Sequence, residues 1–99
     1  MHCYLVVYDV STEDKKGQAR LRKVARVCLD YGTRVQKSVF ECTLEEKEYE
    51  ALVDRLLCCI DPEADSLRIY KFTAPIEKHV QTFGVQAPAM TDPDEVIII

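Results

Sequence analysis

Asp9 is the residue of this chain best placed to do chemistry. The apolar run Tyr4-Leu5-Val6-Val7-Tyr8 ends on it, and the polar stretch Val10-Ser11-Thr12-Glu13-Asp14-Lys15-Lys16-Gly17 follows. A β-branched and aromatic run of that length reads as a buried strand, so the carboxylate stands where the chain leaves the core and meets solvent. There it can hold a divalent cation or take part in phosphate chemistry. It can equally cap the following loop or helix, and the spacing leaves both readings open. Glu13 and Asp14 lie close by, but beside Lys15 and Lys16 they read as solvated loop acids.

A second set of residues suits polyanions. Lys16, Arg20, Arg22, Lys23, Arg26, Arg34 and Lys37 fall in a stretch with little acid, and a two-fold would double them into a strip that holds duplex DNA by phosphate contacts. Residues 1–40 hold eight Lys and Arg against four Asp and Glu, a balance of +4; residues 41–99 hold five against thirteen, a balance of −8. The net charge of −4 speaks against nucleic acid, yet potential is local and screened beyond about 10 Å, so one basic face can still bind it. The bland alternative is a solvated helix face. Glu45, Glu46, Glu48, Glu50 and Asp54 read as such a face, or as a surface for a basic protein. Phe40 could stack a base, although a core or interface position is the better reading, and Ser38 has no histidine base near it in sequence.

The elements that must position these groups follow from periodicity. Ser11 or Thr12 is an expected cap for a helix whose Leu21, Val24, Ala25, Cys28 and Leu29 make one apolar face, with Gly32 ending it. The segment from Arg34 to Cys42 alternates and reads as a second strand. Thr43 with Glu46 suggests a capping box, and Tyr49, Leu52, Val53, Leu56 and Ile60 form the stripe of a second helix that Asp61-Pro62 stops. Ser66 to Phe72 is an expected third strand, and Lys78 to Phe83 a shorter fourth. Taken from the residues alone, this is an α+β sandwich whose strand order stays open, because two strands between the helices would be needed for a ferredoxin-like fold and one segment is visible.

At 99 residues the chain is one domain with an ordinary core fraction, 47% hydrophobic and 30% charged. No apolar stretch approaches the roughly 20 residues of a membrane span, and no leader-like segment opens the chain, so a cytoplasmic protein is expected. Cys3, Cys28, Cys42, Cys58 and Cys59 are odd in number, lack a C-x-x-C spacing and sit in apolar patterns; they read as reduced core thiols. Both faces of the first strand are apolar, and two helices cover one side of a sheet, so something must cover the other. The closing run Val96-Ile97-Ile98-Ile99 would be a sticky edge if left exposed. Both features point to a homodimer with sheets face to face and the C-terminal strand docked on the partner.

Tyr8-Asp9-Val10, the Leu21-Arg22-Lys23-Val24-Ala25 helix, the stretch Tyr31-Gly32-Thr33-Arg34-Val35-Gln36-Lys37-Ser38-Val39-Phe40-Glu41-Cys42 and Asp65-Ser66-Leu67-Arg68-Ile69-Tyr70 together resemble the CRISPR-associated protein two family, the small partner in spacer acquisition. The likeness covers about residues 3 to 84. It implies a ferredoxin-like βαββαβ sandwich over residues 1–84, with residues 85–99 as a loop and an additional C-terminal strand exchanged in a face-to-face homodimer. It also implies either a metal-dependent endonuclease acting on RNA or duplex DNA, or a non-catalytic bridge between subunits of the CRISPR-associated protein one integrase. Tyr8, Asp9, Arg34, Ser38 and Phe40 match the family's site positions, with Asp9 as the metal ligand. Lys23 matches one of two basic helix positions, while Leu21 stands at the other, flanked by Arg20 and Arg22. A phosphodiesterase of this kind takes Mg²⁺ or Mn²⁺ on one or two carboxylates, and a two-fold would bring two copies of Asp9 together. A metabolite-sensing domain on the same fold would need a glycine-containing ligand loop that is missing here.

Overall fold

A computed structural model describes residues 1–73 and 75–85 of the chain. Strand β1 (His2–Asp9) sets the layers by alternation: Tyr4, Val6 and Tyr8 are buried in the core, while Leu5 and Val7 are half-buried on the opposite face. Helix α1 (Lys15–Tyr31) starts later than Ser11 or Thr12 would place it. Asp14 is its cap, accepting the Gly17 N–H at 2.8 Å. Ser11 is held against the helix instead, so closely that a Cβ at Gly17 would collide with the Ser11 carbonyl oxygen. The expected face is buried through Leu21, Val24, Ala25 and Cys28. At the far end the Gly32 N–H reaches the Cys28 carbonyl, and a side chain at Gly32 would run into Cys42 and the Glu41 carbonyl.

The segment expected as one strand, Arg34 to Cys42, is two. Strands β2 (Thr33–Gln36) and β3 (Val39–Leu44) reverse over Lys37-Ser38, with Arg34 opposite Phe40, Gln36 opposite Val39 and a bulge between the pairs. No Gly, Asn or Pro marks that turn, so its pattern hides it. Helix α2 (Glu46–Cys59) is also capped later than expected: the Glu45 N–H donates to the Glu48 carboxylate, while Thr43 stays in β3 opposite Cys3. Leu52 and Leu56 are its fully buried residues, and it stops before Asp61-Pro62 as expected.

Strand β4 (Ser66–Phe72) has the expected bounds. The fourth strand expected at Lys78 to Phe83 is absent. A single 3-10 turn, Ile76–Lys78, follows Pro75, and residues 79–85 form no strand. Ile76 is buried there, but Val80 and Phe83 are 39% and 83% exposed, so the segment has an anchor and no face of its own to bury.

The sheet runs β2-β3-β1-β4, antiparallel throughout, and the chain order β1-α1-β2-β3-α2-β4 makes this the ferredoxin-like α+β sandwich. Val6, Phe40 and Cys42 from the sheet meet Val24, Cys28, Leu52 and Leu56 from the helices in one core. Not every cysteine belongs to it. Cys28 and Cys42 are buried in it, Cys3 is buried on the other face of β1, Cys59 is half-buried and Cys58 is exposed; all five are free thiols. Among the described residues no helix is long and apolar enough to cross a membrane. The expected strand Val96 to Ile99 lies outside the described residues.

Candidate active site

Asp9 is exposed at the carboxyl end of β1, opposite Ser66 of β4. Alternation along β1 gives it the side of Leu5 and Val7, the sheet face the helices leave open. Because Asp14 caps α1, the helix-capping alternative for Asp9 is removed. On its other flank the Tyr8 N–H donates to the Ser38 carbonyl at 3.1 Å, which brings the β2–β3 turn beside the acid. The result is a cleft of about 440 Å³, with Asp9, Ser11, Glu13 and Ser38 on its polar side and Leu21 on its apolar side.

Carboxylates and hydroxyls are hard oxygen donors, which suits Mg²⁺ or Mn²⁺ and not a soft metal. Among the described residues no three His, Cys, Asp or Glu side chains converge to enclose an ion. The acids of this cleft are Asp9 and Glu13, both exposed.

Tyr8 lines this cleft, while Arg34 and Phe40 are not among its lining residues, and all three are buried. They are 3%, 6% and 0% exposed. The Arg34 guanidinium lies 5.0 Å from the Phe40 ring centre, and the Tyr8 and Phe40 rings stack with centroids 6.1 Å apart. Burial pushes the Tyr8 phenol up to about 12, helped by Cys28 and only partly offset by a hydrogen bond from Arg34. The raised value favours the neutral phenol. Phe40 has no surface on which a base could stack, which removes that reading of it. What the three side chains do is bind β2 and β3 to β1, and so hold Ser38 next to Asp9.

The basic residues divide in the same way. Arg20 is engaged by Asp65 through Nε at 2.7 Å and Nη2 at 3.3 Å, and the Asp65 side chain is wholly inaccessible to solvent. Burial alone would raise the Asp65 pKa; hydrogen bonds from Arg20 and from the Asp61 and Ser11 N–H groups outweigh it and hold the carboxyl below its usual value. Arg20 thus belongs to the fold, and buried Arg34 leaves the strip with it. Lys16, Arg22, Lys23, Arg26 and Lys37 remain exposed. Sequence alone does not single out Asp65, since its partners are distant in sequence; it enters there only as the start of the Asp65 to Tyr70 stretch of the resemblance.

The family model for CRISPR associated protein Cas2 matches residues 1–79. The chain is 58% identical over 81 residues to a protein of Moorella thermoacetica named CRISPR-associated endoribonuclease Cas2 1, covering 82% of this chain and 84% of that one. It is 44% identical over 82 residues to the CRISPR-associated endonuclease Cas2 of Halalkalibacterium halodurans, covering 83% and 85%. The crystal structure of Streptococcus pyogenes Cas2 at pH 6.5 superimposes with a TM-score of 0.76 at 45% identity, covering 83% of this chain and 99% of that one.

Proposed function

The chain belongs to the Cas2 family of CRISPR-associated proteins, and on that footing we propose that it is a metal-dependent endonuclease whose working unit is a homodimer and whose metal ligand is Asp9. The observation that carries this reading is the exposed Asp9 carboxylate at a central strand end, in a cleft to which Ser11, Thr12, Glu13 and Ser38 also bring oxygen atoms. The names of the Moorella and Halalkalibacterium relatives support nuclease chemistry.

Leu5, Val7 and Val39 leave apolar surface on the open sheet face, and Tyr70 beside them is 44% exposed. A second sheet packed there covers it and carries its own Asp9 toward the first. Bound Mg²⁺ or Mn²⁺ supplies polarisation of the phosphate and a nucleophilic water. Asp9, with Glu13 of the same cleft, would hold the ion; the Ser38 hydroxyl would be a donor for a phosphate oxygen; and exposed Lys37 would lend charge to the same end of the sheet. Because carboxylates bind metal in their ionised form, affinity falls as pH falls.

The decisive experiment measures cleavage of RNA and of duplex DNA with Mg²⁺, Mn²⁺ or chelator, with Asp9→Ala beside the wild type. Metal-stimulated cleavage by the wild type, lost in a folded, dimeric Asp9→Ala protein, is the expected result. Cleavage that survives in the variant would place the activity elsewhere.

A second reading rests on Lys16, Lys23, Arg26 and Lys37, all exposed and doubled by a two-fold. It is a DNA-binding adaptor in spacer acquisition that bridges the CRISPR-associated protein one integrase subunits without cutting. Salt-dependent duplex binding in the absence of cleavage would favour it.

A further inference from the structure

Asp65 does more than neutralise Arg20. Each of its oxygens is used twice: Oδ2 accepts Arg20 Nε and the Asp61 N–H at 2.9 Å, and Oδ1 accepts Arg20 Nη2 and the Ser11 N–H at 3.0 Å. Ser11 is two residues beyond Asp9, and Ser66, the neighbour of Asp65, is the ladder partner of Asp9 itself. The short run Asp9-Val10-Ser11 is therefore held at both ends by consecutive residues, Ser11 by Asp65 and Asp9 by Ser66 at the start of β4. Gly17 of α1 closes the third side, packed so tightly on the Ser11 carbonyl that a side chain would not fit. Such a brace removes freedom from the peptides that follow Asp9, and a metal site with few protein ligands tolerates such freedom least.

We propose that Asp65 and Arg20 are a positioning pair for the Asp9 site: through the Ser11 amide they set the direction in which the Asp9 carboxylate is presented to a divalent cation. This rests on the nuclease reading above. Neither residue touches the substrate.

The test uses the full-length protein and three variants. Asp65→Asn keeps the shape but turns a donor toward groups that need an acceptor. Arg20→Lys keeps the charge but loses the two-point grip. Leu56→Ala removes core packing under α2 and touches none of the brace, so it controls for loss of stability alone. Mn²⁺ affinity is read from the paramagnetic resonance of the free ion, exchange of the Ser11 amide by nuclear magnetic resonance, and kcat and KM from cleavage.

The expected result for Asp65→Asn is faster Ser11 exchange, Mn²⁺ affinity lower by about tenfold and kcat lower by about tenfold with KM little changed, in the range known for partners of metal ligands. Arg20→Lys should fall between this variant and the wild type, and it carries the test alone if Asp65→Asn fails to fold. Unchanged Mn²⁺ affinity and kcat in folded brace variants overturn the proposal, as does an equal loss in Leu56→Ala. A wild type that neither binds Mn²⁺ nor cleaves refutes the nuclease reading itself, and the positioning role falls with it.

Discussion

Replacing Phe40 separates a core ring from a base-stacking ring. The side chain is 0% exposed, stacked on Tyr8 and covered by the Arg34 guanidinium. Phe40→Ala empties that volume, and large-to-small changes of this kind cost about 3–5 kcal/mol. With the Arg34 and Tyr8 contacts also lost, the upper end, about 5 kcal/mol, is expected, against a typical domain stability of about 5–15 kcal/mol. Phe40→Leu is the more useful variant because it retains most of the apolar volume. It gives up the ring pair, about 1 kcal/mol, and the cation–π contact, about another 1 kcal/mol. A loss of about 2 kcal/mol follows, on the order of 10 °C in Tm for a domain of this size.

The assay is urea unfolding at fixed protein concentration, since a dimer's apparent stability depends on it, beside nucleic-acid binding by the folded protein. Stability should fall while Kd stays within about twofold of the wild type. A stacked base would be worth about 1–3 kcal/mol, which is roughly 5- to 150-fold in Kd. A Phe40→Leu protein of unchanged stability whose affinity drops by that factor would refute the buried assignment and everything built on it.

Asp65 makes the fold acid-sensitive. Its carboxyl titrates below the ordinary 3.8, so its contribution is complete above that value and is lost as pH falls through the lowered one; urea midpoints across this range should fall in the wild type and fall less in Asp65→Asn. Thiol alkylation of the native protein, followed by mass, should modify Cys58 first and Cys59 more slowly. Cys3, Cys28 and Cys42 should react only on unfolding, since burial raises all three thiols, Cys42 to about 11. Removing two cations with Arg22→Ala and Arg26→Ala should lower the slope of log K against log salt by roughly 2 per engaged subunit, about 0.9 per phosphate contact; an unchanged slope would place the phosphates elsewhere.

The legible parts of this protein are those that a local period encodes. Leu21, Val24, Ala25 and Cys28 recur at helical spacing, and the structure buries them together on α1; Leu52 and Leu56 do the same on α2. The strand from Ser66 to Phe72 has its bounds where its alternation and flanking polar residues put them. Caps were less legible, because Ser11, Thr12, Asp14, Thr43 and Glu45 all have side chains able to take the role, and the choice depends on which one the rest of the chain has already engaged. The β2–β3 turn was not visible as a local signal, since Lys37-Ser38 carries none of the usual turn residues; the family likeness implied it, and the pairing of Arg34 with Phe40 is what makes it.

For the candidate site the division is sharper. Sequence by itself determined that Asp9 ends a buried strand and meets solvent, because the change from an apolar run to a polar one is a property of neighbouring residues. Only the tertiary structure decided which residues share that end of the sheet with it. Arg20 is as basic as Arg26 on paper, yet it is engaged by Asp65, 45 residues away; Arg34 and Phe40 matched site positions, yet they are buried and outside the cleft that Tyr8 and Asp9 line. Charge and residue type travel with the chain. Availability to a ligand does not, because it depends on which distant groups the fold brings within hydrogen-bond reach and removes from water.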